Sequence, residues 1–123
     1  MTKLLIIGCG GFFGAILRYL VAGWVYSVSG GDFPLGTLLV NLIGSFLLGL
    51  VLGLADHLVL HPQVMLFLTI GLLGAFTTFS TLSYESWALI EVGSYAKAVL
   101  NMAGSLLLGL VAVLLGLTLG RAF

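Results

Sequence analysis

Three stretches of this chain, residues 33–55, 62–84 and 98–120, each run for 23 residues without an Asp, Glu, Lys, Arg or His. About 20 apolar residues in a helix cross the roughly 30 Å of hydrocarbon in a bilayer, so each stretch is long enough to be one span. A fourth apolar stretch, residues 4–27, holds Arg18 and reads as a span with one buried cation. Only 7% of the 123 residues are charged and 61% are hydrophobic. A soluble domain carries about 25% charged residues, and charge this sparse cannot coat a water-exposed surface. The chain is expected to be an all-α membrane protein with a single domain, residues 1–123, and spans at about 4–27, 35–54, 63–90 and 95–119.

The four Lys/Arg residues balance the four Asp/Glu. No basic field exists to hold nucleic acid, and no soluble protein partner is implied. Cys9 is the only cysteine and closes no internal disulfide. Lys3 precedes an apolar run, but glycines interrupt the run and no small-residue cleavage site follows, so it reads as mature protein rather than a leader. The loops are short. With four spans, Lys3 and Arg121 share one side and Lys97 lies on the other. Lys and Arg in short loops orient a membrane protein, so this small bias predicts insertion in both directions and an antiparallel homodimer. The pairs Gly10/Gly14, Gly49/Gly53 and Gly116/Gly120 allow close helix contact.

A shift of 60 residues aligns Asn41, Gly44, Ser45 and Gly49 with Asn101, Gly104, Ser105 and Gly109. The repeat of Asn-x-x-Gly-Ser suggests two related helix pairs with sites where the halves meet, and makes Asn41 and Asn101 counterparts.

Residues 4–14 imitate a strand entering a dinucleotide-binding glycine turn, but the third glycine falls one place late and no alternation of strands and helices follows. Arg18 is the costliest residue, since a cation near mid-membrane costs about 3 kcal/mol on insertion scales and faces protein or water. It needs an acceptor or an anion. Thr37, Asn41 and Ser45 lie four apart and form a polar stripe on one helix face. The run from Gly71 to Glu85 has two glycines, three threonines and three other hydroxyl residues, poor material for a continuous helix. A mid-membrane break near residues 75–80 is expected. Non-helical backbone at that depth survives only buried in protein or lining a cavity, and its freed carbonyls can coordinate a cation. Glu85 falls near an interface, and His57 and His61 read as surface residues beside Pro62.

On these residues the chain resembles the Fluc (CrcB) family of fluoride channels. The motifs are Gly-Gly-Phe-Phe-Gly-Ala-x-x-Arg-Tyr at 10–19, Gly-Thr-Leu-x-Val-Asn-x-x-Gly-Ser at 36–45 and Thr-Thr-Phe-Ser-Thr at 77–81. The resemblance implies four-helix subunits in an antiparallel, dual-topology homodimer of the cell (inner) membrane, with two fluoride pathways. It also implies a structural Na+ held by backbone carbonyls, by position those of Gly74 and Thr77. Asn41 matches the family's pore asparagine, Phe79 the first of two rings whose edges contact fluoride, Ser105 a polar fourth-helix position, Glu85 an acid near the pore and Arg18 the first-helix arginine. Ser80 and Thr81 add hydroxyls to the pathway. Two positions depart from the family pattern: Leu82 stands where a second phenylalanine is usual, and Asn101 where tyrosine is often found. Asn101 is expected to serve as a donor in its place.

The reading is therefore a passive fluoride channel, with efflux that protects the cell against fluoride toxicity, and not an enzyme, because no nucleophile with a base lies within a span. The alternative is a small four-helix proton-coupled multidrug exporter. That chemistry needs a membrane-embedded acid, for which Glu85 is the one candidate.

Overall fold

A computed structural model describes all residues, 1–123, as helices joined by short connections. Helix α1 is Thr2–Ser29 and α2 is Leu35–Ala55. The third crossing, Pro62–Glu91, is composite: α3 (Pro62–Met65), a π-helical stretch (Leu66–Leu73), α4 (Gly74–Phe76) and α5 (Phe79–Glu91). Helix α6 is Tyr95–Ala122. The four crossings Thr2–Ser29, Leu35–Ala55, Pro62–Glu91 and Tyr95–Ala122 are each long and apolar enough to span a membrane.

The chain reverses where local chemistry stops a helix. Gly30 takes a left-handed φ of 57° and returns its N–H to the Tyr26 carbonyl at 3.1 Å. Gly93, at φ 80°, does the same after α5, with its N–H on the Ile90 carbonyl at 3.0 Å. Both are left-handed closures that a side chain would strain. Pro62 opens the third crossing in the first helical turn, where its missing N–H costs nothing, and the His61 ring nitrogen Nδ1 caps that turn by accepting from the Gln63 N–H at 3.1 Å.

Backbone meeting backbone dominates the packing. Helix α2 lies along α6, and a Cβ added at Gly53 or Gly120 would stand 2.5 Å from the carbonyl oxygens of Leu117 and Leu50; one at Gly49 or Gly116 would overlap those of Val113 and Phe46. Helix α1 lies as closely on the π-helical stretch, where a Cβ at Gly10 would stand 2.6 Å from the Phe67 oxygen and one at Gly71 2.8 Å from that of Ile7. The three small-residue pairs read from the sequence thus serve contacts within the subunit. Most large apolar side chains point outward, and the buried hydrophobic set is only Val25, Leu38, Val40, Leu73, Phe76, Leu89 and Ala98. That suits lipid, which gives no hydrophobic drive between helices and leaves close packing to hold them.

Apart from Arg18 and Glu85, the charged residues sit at the two ends. Arg121 pairs with Asp56 at 2.6 Å on the side of the termini, and Lys97 approaches Asp32 at 3.9 Å on the other. Exposed pairs like these contribute about 1 kcal/mol at most.

The close glycine packing makes a prediction. Gly116→Ala should destabilise the fold by more than about 2 kcal/mol, because the added carbon meets backbone that cannot repack. Gly8→Ala, with nothing within 4 Å of the new carbon, should be neutral or slightly stabilising. Thermal unfolding in detergent, followed by helical circular dichroism, separates the two.

Candidate functional site

The third crossing is bent but its segments remain joined, and the Thr77 N–H still meets the Leu73 carbonyl at 3.1 Å. Thr77 (φ −82°, ψ 155°) and Thr78 (φ −148°, ψ 119°) are extended, within the residues where the sequence predicts a break. Asn41 of α2 meets this bend. Its Nδ2 donates to the Thr78 carbonyl at 3.1 Å, and its Oδ1 accepts from the Thr78 N–H at 2.8 Å. One amide thus takes over both backbone groups of an extended residue, which would otherwise be left unpaired in a medium without water.

The neighbouring backbone groups are re-paired in turn. The Thr78 hydroxyl caps α5 by accepting from the Thr81 N–H at 3.2 Å and donates to the Thr81 hydroxyl at 3.1 Å; the Ser80 hydroxyl lies 3.4 Å away. Arg18 of α1 donates its Nε–H to the Ala75 carbonyl at 3.0 Å, so the cation inside the span serves an oxygen at the bend. Among the carbonyls of the bend, those of Gly74 and Thr77 lose their helical donors. The N–H that would meet the Gly74 oxygen is that of Thr78, taken by Asn41, and the one that would meet the Thr77 oxygen is that of Thr81, taken by the Thr78 hydroxyl. Neutral carbonyl oxygens freed in this way are the donor type that unwound membrane helices offer to Na+.

Two cavities meet at Thr78. The larger, about 710 Å³, lies between α2, the third crossing and α6 and is lined in part by Asn41, Thr77, Phe79, Ser86 and Ser105. The smaller, about 250 Å³, is lined by Arg18, Tyr26, Thr37 and Thr81. Thr78 borders both. Phe79, the first residue of α5, is 81% exposed, so its ring edge is free. Helix α5 also begins here, and the N-terminal end of a helix favours anions.

Glu85 lies on the other side of α5. One carboxylate oxygen accepts from the Tyr26 hydroxyl, and the other is buried with no hydrogen-bond partner. Tyr26 is itself fixed: its oxygen accepts the Thr37 N–H at 3.3 Å and lies 3.0 Å from the Thr37 hydroxyl, while its ring lies against Gly36, where a Cβ would come within 2.6 Å.

The sequence-selected residues therefore divide. Asn41, Gly74, Thr77, Phe79 and Ser105 line the larger cavity. Arg18 and Thr81 line the smaller. Ser80 is exposed beside Thr78. Asn101 reaches neither, being fully buried with its Nδ2 donating to the Ser86 hydroxyl oxygen at 2.9 Å. Sequence reasoning missed Thr78, Tyr26 and Ser86. Thr78 carried a signal, since threonine is favoured as the cap just before a helix. Tyr26 carried none, because its partner Glu85 is 59 residues away.

Comparison with known proteins identifies the family. A family model described as "CrcB-like protein, Camphor Resistance (CrcB)" matches residues 5–117. This chain belongs to the CrcB family. A Methanosarcina acetivorans relative named fluoride-specific ion channel FluC 1 is 50% identical over 117 residues, covering 94% of this chain and 88% of its own length. Relatives from Thermus thermophilus and Geobacter sulfurreducens, each named fluoride-specific ion channel FluC, are both 48% identical over 122 residues; they cover 99% and 98% of this chain, and 96% and 98% of their own lengths. The match takes in all four crossings of this CrcB-family chain.

Asn41→Ala removes both partners of Thr78 and should destabilise the subunit by about 1–3 kcal/mol, the cost of stranding buried polar groups. Asn41→Asp keeps the acceptor for the Thr78 N–H and should fall between the alanine variant and the parent in unfolding midpoint.

Proposed function

We propose that this chain is a fluoride-selective channel of the cell membrane through which fluoride leaves the cell down its electrochemical gradient, protecting against fluoride toxicity. The likeness over nearly the full length to relatives named fluoride-specific ion channels carries the reading. The chain is a multi-pass membrane protein and not an enzyme. The exporter alternative has no support among these relatives.

Fluoride is small and strongly hydrated, so a pore must replace its water with several donors at close range. The amide hydrogen of Asn41 not used on Thr78, the threonine and serine hydroxyls around the bend, and the positive edge of the Phe79 ring supply that chemistry. Arg18 gives the smaller cavity a positive wall and Glu85 an acid beside it. Leu82 also lines the larger cavity but offers no polarised edge, so this chain relies on one ring and on hydroxyls.

The working unit is an antiparallel, dual-topology homodimer with two pathways. In a lone subunit the Gly74 and Thr77 carbonyls, left without helical donors, and the exposed Gly74 and Ser80 would meet lipid, which unpaired backbone does not tolerate. A second copy covers them. The carbonyls of Gly74 and Thr77 would hold a structural Na+, which when bound would supply positive charge that satisfies the freed oxygens.

Liposomes loaded with fluoride and containing the purified protein should release it rapidly, with little chloride from a parallel load; Asn41→Ala should slow release, and replacing Na+ with a large organic cation throughout purification should lower both rate and thermal stability. Fluoride release no faster than from protein-free vesicles would overturn the reading. In cells, an impermeant reagent should label a cysteine appended after Phe123 on about half of the copies, as the small Lys/Arg bias between the two sides implies; labelling of all or none would remove the dual topology.

A further inference from the structure

We propose that Ser86, held by Asn101, is an anion ligand on the wall of the larger cavity, a position the sequence did not single out. This rests on the fluoride reading. Leu82 and Ser86 are four residues apart on α5 and so share a face, and both line that cavity together with Phe79 and Ser105. One turn beyond the leucine that lacks a ring edge, the same face therefore presents a hydroxyl.

The hydrogen bonding commits that hydroxyl's oxygen and leaves its proton free. Asn101 is 0% exposed, Ser86 2% and Ser105 8%. The Asn101 Nδ2 donates to the Ser86 oxygen at 2.9 Å, and the Ser86 hydroxyl donates to no protein acceptor. The Ser105 oxygen and the Asn101 Oδ1 have no partner at all. Turning the amide about would spend the Ser86 proton on Oδ1 but strand both Nδ2 hydrogens, so either orientation leaves donors unused. Buried polar groups are ordinarily satisfied, and an unspent cluster of donors on a cavity wall calls for an acceptor in the cavity. Fluoride, stripped of water, is such an acceptor. An amide hydrogen bond to the hydroxyl oxygen also polarises the O–H and strengthens it as a donor. Asn101 acts here as a positioning residue, touching the anion only through Ser86.

The test is fluoride release from liposomes as a function of fluoride concentration, for the parent chain, Ser86→Ala, Ser86→Cys, Asn101→Leu and the double variant Ser86→Ala/Asn101→Leu. Loss of one hydrogen bond to a charged ligand should raise the half-saturating fluoride concentration about tenfold in Ser86→Ala. Ser86→Cys, close in shape but a weak donor, should resemble the alanine variant. Asn101→Leu should show a similar shift, and the double variant no more than the larger single one, since the two residues act in series. A parental half-saturation in Ser86→Ala or Ser86→Cys, or additive effects in the double variant, would overturn the inference while leaving the channel intact. A parent chain that releases no fluoride would overturn the channel reading and this inference with it.

Discussion

Everything at the centre of this subunit depends on two hydrogen bonds between one side chain and one residue's backbone. Extended backbone at membrane depth is costly because lipid offers its N–H and C=O groups nothing. At Thr78 the Asn41 amide supplies both partners, at 2.8 and 3.1 Å. Once that cost is met, the other features follow: α5 starts at Phe79 in mid-membrane, its cap comes from Thr78, the Ala75 carbonyl is released to Arg18, and the Gly74 and Thr77 carbonyls lose their helical donors. Thr37 and Asn41 of the polar stripe on α2 are thus first structural devices, and what faces the larger cavity is the remaining amide hydrogen of Asn41 and the side chain of Ser45.

The bend must also be held in place between neighbours, and glycine does this. Backbone seated directly on backbone along α2 and α6, and between α1 and the π-helical stretch, fixes the helices with little apolar burial. The consequence for function is rigidity where it is needed. Asn41 on α2 and Thr78 on the third crossing are brought to hydrogen-bonding distance by elements whose spacing is set by main-chain atoms pressed together, an arrangement with less play than interlocking side chains. The two cavities then lie on either side of a fixed residue, one with a guanidinium on its wall and the other with hydroxyls and a ring edge.

Much of this was legible in the sequence because the bilayer imposes simple rules. The three charge-free runs and the apolar run holding Arg18 were long enough to be spans, and the four crossings lie where those four runs are. Arg18, too costly to leave unpartnered in a span, has an acceptor at the bend. The glycines and threonines between Gly71 and Thr81 marked where the crossing bends, at the extended Thr77 and Thr78, although it stays joined rather than broken. What could not be read depends on residues that meet from far apart in the chain. Nothing in local spacing joins Tyr26 to Glu85 or Asn101 to Ser86. The repeat made Asn41 and Asn101 counterparts, yet one lines a cavity and the other is sealed behind Ser86. The π-helical stretch Leu66–Leu73, whose Gly71 packs closely on α1, left no mark in the sequence.

The central claim is that Asn41 holds the Thr78 backbone in its extended form, and the most direct measurement is hydrogen–deuterium exchange of the Thr78 amide in the reconstituted protein. With Asn41 present, that N–H should exchange as slowly as those of the flanking helices, and in Asn41→Ala it should exchange faster by about tenfold or more, since each 1.4 kcal/mol of lost protection is a factor of ten. Equally slow exchange in both proteins would mean that another group holds the bend, and would contradict the account.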